Sequence, residues 1–281
     1  MRREKLFMNE ENSNLNQQNQ AEWQAPPPPQ DLKTIEEPVQ MSEVATLGSI
    51  FFEPGKTFED LRRKPRFILA AVIMIVLGTT FSFLFANKVG DEGFKRLAAE
   101  QVNKSPQASS LSAEQKQQSV NFTMTIINVT RYLIPLIIIV VMALGGLFYW
   151  LGSKAMGGSA SFPHGVSAWV YSSFPPTVVA SIANIVILFL KPVDEIDVAT
   201  GQRGLINANP SFFIDGAQSP VLATLLGTFD FFLIWGWILA AIGLQKLGKL
   251  SAGSAWAIVL IFALLNITFR VISAFFSGSP A

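Results

Sequence analysis

Five stretches of this chain run for about 20 residues or more with almost no Asp, Glu, Lys or Arg, enough in each case for a helix to cross a bilayer core of about 30 Å. Phe67 to Asn87 is the first, ending at Lys88, and Tyr132 to Ser153 is the second, between Arg131 and Lys154. Ala155 to Leu190 carries no charge, and its apolar portion from about Gly165 makes the third. Val221 to Leu247 is interrupted only by Asp230 and Lys246, and Ser254 to Phe276 only by Arg270. Charged residues make up 15% of the chain against about 25% in soluble domains, while 50% are hydrophobic. Such a chain lacks the polar surface to cover a soluble fold. The expectation is an all-α, polytopic helical membrane bundle of five transmembrane helices, with spans at about 67–87, 131–152, 165–190, 221–246 and 254–276.

The side-chain inventory removes most catalytic and metal chemistries. The chain has no Cys and a single His, His164, which excludes disulfides, thiolate sites and multi-His metal sites. With 21 basic and 20 acidic residues the net charge is +1, so there is no global attraction to nucleic acid. Asp194, Glu195 and Asp197 lack the Gly and terminal Glu of a calcium loop and read as a solvated turn. No Walker loop, dinucleotide fingerprint, nucleophile elbow or catalytic carboxylate pair occurs. The expectation is no enzyme, no metal and no cofactor.

Residues 1–41 differ in kind from the rest. Asn and Gln dominate Asn9 to Gln30, and Pro26 to Pro29 is an unbroken proline run. With little apolar surface to offset ordering entropy, this segment reads as a disordered tail ahead of a membrane domain over 42–281. No short apolar core stands near Met1, so it does not read as a signal peptide. Lys56, Arg62, Arg63, Lys64 and Arg66 crowd the start of the first span, which places the N-terminus in the cytoplasm and, after five spans, the C-terminus outside. Against this, the first external loop contains Lys88, Lys95, Arg96, Lys104 and Lys116, diluted over more than 40 residues.

Two amphipathic segments flank the core. Residues 43–64 place Val44, Leu47, Ile50, Phe51, Phe58 and Leu61 among polar residues, with Pro54-Gly55 splitting them into two short helices. Thr57-Phe-Glu-Asp60 fits a capping box and would start the second piece. With the basic cluster after it, the segment reads as an interfacial helix on the cytoplasmic leaflet. A second capping box, Ser112-Ala-Glu-Gln115, would extend the second span well outside the membrane before Pro135 bends it.

Charges inside spans are functional candidates by default. Asp230 falls about nine residues into the fourth run, roughly 14 Å from its external end, and Arg270 near the external end of the fifth. They can form a pair, as an ion relay or as a structural contact between helices. Pro175-Pro176 should break or kink the third span. Broken helices occur in transporters, and packing kinks are the plainer use. Gly145, Gly146, Gly236 and Gly243 permit close helix approach, within the bundle or between copies in a homo-oligomer. His164 reads as a loop residue.

Three patches resemble one family. Ile50-Phe-Phe-Glu-Pro-Gly-Lys-Thr-Phe-Glu-Asp-Leu61 resembles the start of the Yip domain family, Ypt/Rab-interacting membrane proteins, in its bacterial form. Gly158-Ser-Ala-Ser-Phe162, followed by Tyr171 and Pro175, is similar too, as is Leu226-Gly-Thr-Phe-Asp230-Phe-Phe-Leu-Ile-Trp235 with Gly243-Leu244 and Leu250-Ser251. Together they cover about residues 43–276. The resemblance implies a five-span membrane protein with a cytosolic N-terminus in a bacterial cytoplasmic membrane. Partnership with small GTPases belongs to the eukaryotic members and is not implied here. Pro54, Phe58, Tyr171, Pro175, Trp235 and Gly243 are thereby marked as motif residues, with Pro176 beside them.

Two functions compete. One is a non-enzymatic scaffold, adaptor or membrane-organising factor, contacting protein partners through the tail and residues 43–66. The other is a small ion or solute transporter or channel built on Asp230 and Arg270.

Overall fold

In the computed structural model the described residues are 40–280, apart from Pro106 and Ala217; the tail expectation for 1–41 lies almost wholly outside them. Two short helices come first, α1 (Glu43–Phe52) and α2 (Pro54–Arg63). Five long apolar helices follow: α3 (Ile68–Lys104), α4 (Ala113–Ala155), α5 (Phe162–Leu190), α7 (Phe231–Gly248) and α8 (Ala252–Ser277), with the short α6 (Pro220–Gly227) before α7. The all-α, five-span expectation holds.

Local chemistry sets the boundaries. Ser42 caps α1 by accepting from the Ala45 amide at 3.1 Å. Pro54 cannot continue α1, because it lacks an N–H and its ring clashes with the preceding turn, yet its fixed φ suits the first position of α2. The second piece therefore starts at Pro54 and not at the Thr57 capping box. Thr57 is interior to α2, and its hydroxyl donates to the Glu53 carbonyl at 3.0 Å. The Ser112 box forms as expected: Ser112 Oγ accepts from Gln115 N at 3.2 Å, and Gln115 Oε1 accepts from Ser112 N at 2.9 Å. α4 then runs unbroken past Pro135 for 43 residues, about 65 Å, twice the depth of a bilayer core.

α5 is the central helix, packed against α3, α4 and α7, with α8 on the outside against α7, α6 and α4. The approach of α4 to α5 depends on glycine: a Cβ at Gly146 would fall 2.7 Å from the Val166 backbone, and one at Gly145 would enter the Trp169 ring. These small residues serve contact inside the bundle. At one end lie α1–α2, the start of α3, the α4–α5 loop and the α7–α8 turn, the last two knit by a 3.0 Å bond from Ser159 N to Gly248 O. This end carries Lys64, Lys154 and Lys249 and is called the basic end.

At the far end α3 turns at Gly90, whose φ of 68° and ψ of 171° are open only to glycine without strain. The turn lets the Phe94 ring meet Phe85 at 6.3 Å and builds a second apolar cluster with Ala86, Val89, Leu188 and Ile196. Lys88 Nζ donates to the Leu188 and Lys191 carbonyls and closes the C-terminus of α5. Asn184 Oδ1 accepts from Leu205 N at 2.6 Å and Ile206 N at 2.8 Å, which fastens the α5–α6 connection onto α5.

Candidate functional site

The motif residues converge where α1–α2 docks on α5 and α7. Phe58 is wholly buried over Gly243, where a Cβ would stand 2.9 Å from its Cε1. The Phe51 ring packs edge-on to Phe174 at 6.1 Å and to Trp235 at 6.2 Å. Phe174 in turn meets the buried Tyr171 at 6.4 Å. Phe58, Tyr171 and Phe174, with Ile50 and Leu61, belong to the main core cluster of the bundle, and Phe51 packs against it. Of the apolar residues of 43–64, Ile50, Phe58 and Leu61 are therefore covered by protein and Leu47 and Phe51 partly so, while Val44 and Phe52 stay exposed. Part of the surface assigned to the leaflet or to partners is internal.

Pro175 and Pro176 lie within α5, which continues through them, so they neither end nor split the helix. Pro176 cannot donate to the Ser172 carbonyl. That oxygen lies 3.7 Å from the Cβ position of Gly236, with Pro176 Cγ at 3.8 Å. At these distances a Cβ would make ordinary contact, so α7 packs closely on the Pro176 turn without requiring a glycine. Pro176 thus belongs to the α5–α7 packing surface, and Pro175 is buried beside it.

Beside this dock lies a polar centre that the sequence reading passed over. The Asp60 side chain, 1% exposed, accepts from Arg66 and from the amides of Gln40 at 2.6 Å and Met41 at 3.4 Å, with Arg63 at 4.0 Å. Arg66 also donates to Thr46 Oγ1 at 2.9 Å. One carboxylate thereby joins the segment before α1, α1 itself, α2 and the approach to α3. His164 is not a loop residue. It occupies the first turn of α5, with Nδ1 at 2.6 Å from Ser161 Oγ and Nε2 at 3.0 Å from the Arg62 carbonyl. The signal for Asp60 and Arg66 was weak, since both sat in a basic cluster that resembles a solvated face.

Asp230 stands differently from its predicted place. The fourth span is not one helix from 221 to 246: α6 ends at Gly227, and Asp230 is the N-cap of α7. Its Oδ1 accepts from Phe232 N at 2.9 Å and Leu233 N at 3.3 Å, and its Oδ2 from Asn209 Nδ2 at 3.2 Å. The cue, Asp before a long apolar run, was visible as a capping pattern. α7 is 18 residues and about 27 Å long. Arg270, as far along the antiparallel α8, therefore returns to the level of Asp230. Both lie toward the far end of the bundle, with Asp230 and Arg203 within Coulombic range of Arg270. Below Asp230 an open groove of about 230 Å³ on α7 is lined by Phe231, Ile234, Trp235 and Ile238, none of them ionisable. Among the described residues no His, Asp or Glu cluster could hold a metal ion.

Five long helices, each with an apolar, almost charge-free stretch long enough to cross a bilayer core, define a multi-pass integral membrane protein. The family model for the Yip1 domain matches residues 48–273, and the chain belongs to that family. Over 252 residues it is 28% identical to the membrane protein YknW of Bacillus subtilis (strain 168), covering 84% of this chain and 91% of that protein. No solved structure matches.

Proposed function

We propose that this Yip1-family protein is a non-enzymatic scaffold or adaptor of the bacterial cytoplasmic membrane. Its bundle is the anchor, and the segment before Gln40 presents itself to protein partners in the cytoplasm. The observation that carries this reading is the Asp60 centre: one buried carboxylate of α2 holds the segment before α1 and the approach to α3, and reaches α1 through Arg66, at the point where that segment joins the bundle. A fixed exit point of this kind suits a tether. The carboxylate a transporter would need is engaged otherwise, since Asp230 closes the first turn of a helix.

Photo-crosslinking from Trp23 in native membranes tests the proposal. Partners are expected to be captured by the full chain and lost when residues 1–38 are removed, with the remaining domain still inserted. Capture of no protein at all would overturn it. The transporter alternative rests on the interruption between α6 and α7 and on Arg270, and it requires Asp230→Asn to abolish flux in proteoliposomes.

A further inference from the structure

The α1–α2 hairpin sits deeper than a segment lying on a membrane surface. Its open end is fixed at the basic end of the bundle, where the Arg62 carbonyl meets His164 in the first turn of α5 and Glu59 pairs with Lys246 at 3.8 Å near the end of α7. Its closed end is fixed by Phe51, on Phe174 and Trp235. Phe174 is ten residues beyond His164, about 15 Å along α5. Trp235 is eleven residues before Lys246, about 16 Å along α7. Two antiparallel spanning helices thus give the same depth, about half of a 30 Å core.

The hairpin is built for that position. Between Val44 and Phe52 there is no charged residue. Val44, Gly48 and Phe52, at i, i+4 and i+8, form an exposed face away from the bundle, with Phe52 86% exposed at the turn. Few backbone donors are left open at the turn, which lowers the penalty that hydrocarbon imposes: Glu53 N donates to Ser49 O at 2.7 Å, Pro54 has no N–H, and Thr57 N donates to Glu53 O at 3.0 Å. The charges nearest the turn, Glu53 and Lys56, pair at 2.8 Å, and the lysine stem is long enough to lead its head toward the surface.

We infer that α1–α2 is a re-entrant hairpin inserted into the leaflet at the basic end, its Val44–Gly48–Phe52 face in contact with acyl chains of that leaflet alone. The inference is independent of the scaffold reading. It removes this face from the surfaces open to soluble partners and leaves the segment before Gln40 for them.

A chain without cysteine makes the test direct. Single variants Phe52→Cys, Gly48→Cys, Lys64→Cys and Val140→Cys in the full chain are reconstituted in phosphatidylcholine–phosphatidylglycerol vesicles and labelled with a nitroxide. Val140, on the exposed face of α4, is the lipid reference, and Lys64 the water reference. The nitroxides at 52 and 48 are expected to collide with oxygen more than with an aqueous nickel chelate, as at 140 and opposite to 64. An aqueous maleimide should react about tenfold slower at 52 than at 64, because an apolar setting disfavours the thiolate. Nickel access at 52 and 48 equal to that at 64 would place the face in water and overturn the inference. Shielding from both colliders would mean that protein covers it, and would overturn it equally. Gly48 meets no neighbouring atom, so its variant reports even where the Phe52 variant folds poorly.

Discussion

Phe58 and Gly243 stand far apart in the chain and meet because one fills the space the other lacks. A side chain at Gly243 would displace a ring that has no exposed surface to retreat to. Gly243→Val should destabilise the protein by about 1–3 kcal/mol as overpacking, read as a lower thermal midpoint in detergent. Phe58→Leu in the same chain should return part of that loss, since residues in contact are coupled. Asp60 has the opposite vulnerability: its own removal leaves Arg66 without its carboxylate. Breaking a buried pair costs about 3–5 kcal/mol, whereas replacing both members by apolar groups is often neutral. Asp60→Asn should therefore lower the midpoint more than Asp60→Asn combined with Arg66→Met; a double variant no better than the single would refute the pairing argument. The sequence marked Phe58 and Gly243 through their motif but could not say that they touch. It offered Asp60 only as part of a capping box and of a motif, because burial of a charge depends on how the hairpin docks and not on its neighbours in the chain.

Element boundaries separate two roles for Asp230. Asn caps helices about as well as Asp, while Ala loses roughly 1 kcal/mol. A capping Asp230 predicts that Asp230→Asn changes the thermal midpoint little and Asp230→Ala lowers it clearly. A proton-carrying Asp230 predicts loss of activity in both. Gly90 gives a second contrast. A Cβ there would meet nothing within 4 Å, but the backbone conformation is closed to other residues, so Gly90→Ala should cost about 1–3 kcal/mol. Gly48→Ala, equally open but helical, should be neutral or slightly stabilising through helix propensity. Equal midpoints for the two variants would remove the turn in α3 from the account. The existence of the long helices was readable because charge-free runs admit few other structures in lipid. Their limits were less so. Thr57 offered a good capping box, but Pro54 came first and ended α1 on steric grounds. In the fourth run, hydrophobicity continues through Thr228 to Asp230 while the helix does not, and averaged apolarity conceals such an interruption.

The whole molecule has two unlike ends, and its orientation can be argued from them. At the basic end Lys64, Lys154 and Lys249 stand exposed beside Arg62 and Arg63, while Glu59 is matched to Lys246 and Asp60 to Arg66. At the far end basic side chains are interleaved with acidic ones, as in the Lys95–Glu92 and Lys104–Glu100 pairs, and Asp194, Glu195, Asp197 and Asp215 line the α5–α6 connection. Short loops rich in Lys and Arg stay in the cytoplasm, whereas a long segment of mixed charge crosses readily. The five basic residues of the first external loop thus cease to be an objection, because they sit on helical extensions of α3 and α4 with acidic neighbours and not in one basic cluster. The basic end should face the cytoplasm. In intact cells a membrane-impermeant thiol reagent should label Ser211→Cys, in the α5–α6 connection, and leave Lys154→Cys unlabelled until the membrane is permeabilised. The reverse pattern would invert the molecule, put the re-entrant hairpin in the outer leaflet, and remove any cytoplasmic partner from the reach of the segment before Gln40.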